Sequence, residues 1–132
     1  MIDFNFNKII YGAIPNFFNL CKSFSFAALA TATIETVFFA TLKFHKKNFL
    51  YYVFFVNIIT NLAFNITLAY TATSARNILI GEICVILVEF LAFMYFLKPN
   101  KKNVANLFGM TALANVLSFC VGLIFDSITG VL

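Results

Sequence analysis

The chain of 132 residues is 62% hydrophobic and 18% aromatic but only 11% charged, with nine Lys and Arg against five Asp and Glu. A water-soluble domain this small would leave much of that apolar surface wet, so the composition excludes one and points to a single all-α membrane protein. The formal charge of +4 is spread between apolar runs, which reads as headgroup and orientation contacts and gives no reason to expect nucleic acid as a partner.

Residues 1–24 are too polar to span a bilayer. Phe6, Ile9, Ile10, Ala13, Ile14, Phe17, Phe18 and Cys21 recur at three-four spacing and draw one apolar stripe. Asn5, Lys8, Gly12, Asn16, Asn19 and Lys22 fall opposite. That pattern predicts an N-terminal interfacial amphipathic helix, bent at Pro15, ahead of a four-helix transmembrane bundle over 25–132. Met1-Ile2-Asp3 lacks the basic start of a signal peptide.

The predicted spans cover about 25–44, 49–71, 77–97 and 104–125. In the first, Ala28 and Ala32 give a small-residue face that leads to Glu35. A short basic turn, Lys43 to Lys47, holds the lone histidine, His45, which is expected to face headgroups. Span two places Tyr51 and Tyr52 at one edge and Tyr70 at the other, as an interfacial belt requires. Within it Asn57, Asn61 and Asn65 stand four apart, so one face carries a polar stripe, joined by Thr60. Span three, the most apolar, nevertheless holds Glu82 and Glu89. Seven residues is nearly two helical turns, so both acids share a face. Span four sets Ala114, Ser118 and Gly122 at the spacing of a close-packing seam, with Thr111 and Asn115 beside it. The tail from Asp126 is expected to be loose. Cys21, Cys84 and Cys120 are odd in number and far apart, which argues against a disulfide framework and for buried apolar fillers.

The loops after spans one and three carry Lys43, Lys46, Lys47, Lys98, Lys101 and Lys102, whereas Lys8, Lys22 and Arg76 lie on the other side. The positive-inside rule then puts both basic loops in the cytoplasm and both termini outside. Counting ~1.5 Å of rise per residue, Glu35, Asn61 and Asn115 lie roughly 15 Å deep. Glu89 lies slightly deeper, at roughly 18 Å, and Glu82, Asn65 and Ser118 form a shallower set at roughly 8 to 11 Å.

Apart from Lys43 at the very edge of the first, no Lys, Arg or His falls within a predicted span, so these acids have no basic partner at their depth. A carboxyl so placed is matched by a proton, a bound cation or a cationic substrate. Carboxylate and amide oxygens suit hard ions such as Na⁺, Ca²⁺, Mg²⁺ or Mn²⁺, and the sequence lacks a zinc ligand set. Familiar catalytic motifs are missing, although a glutamate could activate water with an asparagine as oxyanion donor.

The segments A-T-I-E-T, V-N-I-I-T-N-L-A-F-N, E-I-C-V-I-L-V-E-F and A-N-V-L-S-F-C-V-G-L resemble a group of small four-span prokaryotic membrane proteins with no established activity. The resemblance covers the four spans, about two thirds of the chain. It implies a multi-pass protein of a prokaryotic cell membrane, with polar positions at Glu35, Asn57, Thr60, Asn61, Asn65, Glu82, Glu89, Asn115 and Ser118. Leu62 stands where the group would carry a proline that bends span two. Small multidrug transporters share four spans and a glutamate in the first, but their later motifs are absent.

The expected function is cation- or proton-linked transport at Glu35, Asn61, Glu82, Glu89 and Asn115, supported by Asn57, Thr60, Asn65 and Ser118. One alternative is a non-catalytic membrane subunit or a protein that binds lipid or a small ligand. Another is a glutamate-dependent intramembrane hydrolase. Four short helices enclose little space, so a homodimer or larger membrane assembly is expected.

Overall fold

The computed structural model describes residues 6–42, 47–70 and 74–129, with side chains described for 22, 24–42, 47–68 and 74–124. Four helices occupy them: α1 (Phe6–Thr41), α2 (Lys47–Tyr70), α3 (Ala75–Leu97) and α4 (Lys101–Thr129). There is no strand among the described residues. All four are long and apolar enough to cross a membrane. Only internally hydrogen-bonded elements can do so in a solvent without water. The basic turn with Lys43, His45 and Lys46 lies outside the described residues.

The helix ends follow from local chemistry. Ser74 caps α3, its side chain accepting from the Asn77 backbone N–H at 3.2 Å. At the other end Lys98 turns left-handed at φ 45°, and Pro99 cannot continue the helix. Thr33, Thr67 and Thr111 donate to the carbonyls of Leu29, Ala63 and Leu107, four residues back. Hydroxyls within an apolar span thereby avoid being stranded.

Two boundaries differ from the sequence reading. The expected break near residue 24 is absent: α1 is helical without interruption over 36 residues, ~54 Å by rise. No glycine or proline follows Pro15 before the turn at Lys43, so nothing stops the helix once it has formed. The apolar window of α1 starts at Phe24. The stripe from Phe6 to Cys21 lies outside the described side chains. At the other terminus, α4 runs on to Thr129, where a loose tail is expected from Asp126.

Turns of three to five residues make consecutive helices antiparallel. α1 packs on α2 and α4, α3 packs on α2 and α4, and the diagonal backbones do not approach. The result is a square ring around one axis. At the end bearing the basic turns, Phe39, Phe49 and Phe93 fill that axis completely. Their rings meet edge to face, with centroids 5.4–5.8 Å apart, the favoured aromatic geometry. Leu107 joins them from α4. Tyr51 and Tyr95 stand exposed around the same end, where an interfacial belt would lie.

Side chains such as Ile59, Leu79, Val88, Leu113 and Ile124 point outward, as a protein dissolved in lipid requires. Cys84 and Cys120 do likewise, which corrects the expectation of buried cysteines: a thiol behaves as a small apolar group and is at home against lipid. Gly122 is also exposed with no neighbour near its Cα, so the small-residue seam of α4 is packed only at Ala114 and Ser118. Gly81 is different. A Cβ there would strike the Phe64 ring, so its bare backbone lets α2 lay that ring across α3.

Candidate functional site

The inner face of each helix changes from apolar to polar at one level. On α1, Glu35 follows Phe39 by four residues toward the N-terminus. On α3, Glu89 stands in the same relation to Phe93. Val53 is succeeded by Asn57 on α2, and Leu107 by Thr111 on α4. Four residues is about one turn, ~6 Å, so a polar layer lies one turn beneath the aromatic plug. Glu35, Asn57, Glu89 and Thr111 are fully buried there, with Asn115 and Ser118 nearly so.

Asn115 is the hub of this layer. Its Nδ2 donates to Glu89 Oε2 at 2.6 Å, to the Thr111 carbonyl at 3.1 Å and to Glu35 Oε2 at 3.4 Å. The Thr60 hydroxyl reaches Glu89 Oε1 at 2.6 Å, and the Ser118 hydroxyl reaches Glu35 Oε1 at 3.0 Å. The Thr60–Glu89 distance lies in the short range of hydroxyl–carboxylate bonds.

Both hydroxyls also lie within reach of helix carbonyls: Thr60 of Val56 and Asn57 at 3.0 and 3.2 Å, Ser118 of Asn115 at 2.9 Å. A hydroxyl has one hydrogen and two lone pairs. When a carboxylate faces it, the hydrogen turns toward the acid. When the carboxyl carries a proton, that proton is given to the hydroxyl oxygen while the hydroxyl bonds its own helix. The heavy-atom positions therefore serve either protonation state of both glutamates.

Asn57 adds to this. Its Nδ2 donates to the Val53 carbonyl at 3.0 Å, and its amide stands against Glu35. Its Oδ1 is buried without a donor. Such an orphan is uncommon, and no donor among the described residues reaches it. Thr36 Oγ1 is also buried without a partner, and nothing in the structure explains it.

On the side away from the plug, the layer forms the floor of a cavity of about 190 Å³. Thr31, Asn61, Asn65, Glu82, Asn115 and Ser118 line it, so every helix contributes. Asn61 is tied back to the Asn57 carbonyl at 3.0 Å. Glu82 is half-buried here rather than within the sealed layer, yet close enough to act electrostatically on both other glutamates.

The structure thus divides the expected site residues into two groups. Glu35, Glu89, Asn115, Asn57, Thr60 and Ser118 form the closed layer, while Asn61, Asn65 and Glu82 face the cavity above it. Thr111, named in the sequence only as a polar group of span four, anchors Asn115. Its spacing, four before Asn115, was the available signal. Among the described residues, no three of His, Cys, Asp and Glu converge as a metal ion would need.

Comparison with known proteins adds no identity: no family model matches the chain, and neither a curated protein nor a solved structure matches it.

Proposed function

We propose that the chain is a proton-linked membrane transporter, with Glu35 and Glu89 as the proton-exchanging pair and Asn115 as the bridge between them. The observation that carries this reading is the hydrogen-bond arrangement around the two acids, which accepts or releases protons by turning hydroxyls rather than by repacking helices. A purely structural layer has no need of carboxyl groups, since amides would bond as well. The hydrolase alternative needs an oxyanion donor aimed into open space, and the Asn115 amide is instead occupied by carboxyl oxygens.

In this proposal the basic end, with its aromatic plug, faces the cytoplasm of a prokaryotic cell. The cavity opens outward. Membership of the small four-span group is part of the same proposal. Access from the plugged end requires the phenylalanines to part, or a second copy to complete a path. Cysteine labelling in intact cells checks the orientation: a probe that cannot cross the membrane should miss Lys46→Cys and Lys101→Cys and reach a cysteine placed at the C-terminus. The reverse pattern would invert the assignment.

Glu35→Gln and Glu89→Gln test the exchange itself. Both keep shape and most hydrogen bonds. In proteoliposomes, wild-type protein should bind and release protons across a pH jump, and the double variant should lose that response while keeping its fold. An identical response in both proteins would sink the proposal.

A further inference from the structure

A groove of about 550 Å³ runs between α2 and α3 on the outside of the bundle, within the size range of small-molecule sites. Its walls extend from Leu68 to Ile59 on α2 and from Asn77 to Val88 on α3. Eleven residues of helix rise ~17 Å, and one leaflet is about half of a 30 Å hydrocarbon core. The groove therefore starts where α3 begins and stops near the bilayer centre, beside Thr60. Ile59, Ile80 and Val88 are turned outward, so lipid meets it along its length. Its floor is Val85 and the Phe64 ring seated over Gly81. That ring also lines the interior cavity, so an occupant of the groove lies against the cavity wall and not inside it.

Below its mouth the groove offers no free polar group. The Thr60 and Thr67 hydroxyls already bond carbonyls of their own helix. The occupant must then be apolar, narrow and as long as a leaflet is deep, which describes one acyl chain. The mouth adds a charge. Arg76 is exposed in the first turn of α3, one turn before Ile80. Among the described side chains no acid neutralises it. Glu35 and Glu89 are sealed in the polar layer, and Glu82 stands six residues on, ~9 Å along the axis and a third of a turn out of line. A guanidinium at the membrane edge matches the oxygens of a phosphate. The α3–α4 cleft suits a chain less well, because α4 walls it only from Asn115 to Phe119, ~6 Å of rise.

We propose that the α2–α3 groove seats one acyl chain of an anionic phospholipid, with the phosphate held by Arg76. The site is independent of proton exchange and stands or falls without it.

Native mass spectrometry of the purified protein in mild detergent counts the lipids that each chain holds. The probes are dioleoylphosphatidylglycerol and zwitterionic dioleoylphosphatidylcholine, which share their chains and differ in charge. Wild-type protein should retain one phosphatidylglycerol and bind it roughly fivefold more tightly than phosphatidylcholine. Arg76→Gln should bind the two lipids alike, and Arg76→Lys should keep part of the preference. Ala63→Trp, on the exposed rim of the groove, should weaken both lipids by filling it. Ile83→Trp, in the other cleft, should change neither. Glycerol phosphate, a headgroup without a chain, should displace nothing. A preference that survives Arg76→Gln, or unchanged binding by Ala63→Trp, overturns the proposal, as does lipid loss in Ile83→Trp or displacement by glycerol phosphate. Should Ala63→Trp fail to fold, Cys84→Phe fills the same groove. Cys84 opens onto it, so efficient Cys84–Cys84 crosslinking of wild-type protein in bilayers would give the groove to a second copy and also overturn the proposal.

Discussion

Asn115→Leu is expected to be among the most damaging single changes in this protein. Leucine keeps asparagine's branched skeleton of four side-chain heavy atoms but is bulkier, so the change removes the hydrogen bonds and adds some overpacking. Glu89 Oε2 and Glu35 Oε2 both lose their amide donor. Stranding a buried polar group costs about 1–3 kcal/mol, so two acceptors amount to roughly 3 kcal/mol. Typical interhelical hydrogen bonds within membranes are weaker, near 0.6 kcal/mol, because the separated helices also find partners. The surplus here comes from leaving two acids facing each other with nothing between. Equilibrium unfolding of purified protein in mixed detergent micelles measures it. Replacing all three together, as Glu35→Leu, Glu89→Leu and Asn115→Leu, should regain much of the stability, since apolar side chains can substitute for a buried charged set. Proton exchange would be abolished in that variant. An Asn115→Leu protein as stable as wild type would show that the bridge carries little weight.

Phe93→Ala should produce the other large effect. The ring is fully buried and meets Phe39 and Phe49 edge to face. Phenylalanine-to-alanine changes in packed cores cost about 3–5 kcal/mol, and the cavity left here lies on the bundle axis. Beyond it, one turn away, is the glutamate layer. The variant is therefore expected both to unfold more readily and to leak protons through liposomes, whereas Phe93→Leu should do neither strongly. A tight Phe93→Ala bilayer would mean that the aromatic group is not the seal.

The polar half of this arrangement was legible in the sequence and the aromatic half was not. Glu35, Asn57, Glu89 and Asn115 each interrupt an apolar run, and a polar group that must avoid lipid identifies its own inward face. Spacing then put Thr60 and Ser118 near them. Phe39, Phe49 and Phe93 send no such signal. The chain has nineteen phenylalanines, and a helix that is apolar all round gives no periodicity to tell the axis from the lipid. The same ambiguity hid the outward placement of Cys84 and Cys120. Separating Glu82 from the sealed layer required the actual register of α3 against α4. Counting depth along isolated helices places Glu82 roughly 10 Å from Glu89 but does not say what it faces, since its exposure depends on which neighbour packs there.

The pairing across the polar layer bears on how the protein comes to be built. Glu35 belongs to the hairpin of α1 and α2, but its donors, Asn115 and Ser118, arrive with α4. Glu89 belongs to the later hairpin of α3 and α4, and Thr60 comes to it from the earlier one. Each half of the molecule thus holds an acid that the other half helps to satisfy. A nascent first hairpin lodged in the bilayer carries Glu35 without those two donors until the ribosome has delivered the fourth helix. Only a chain whose four helices have all been inserted, in matching orientation, supplies the cross-hairpin donors of both acids.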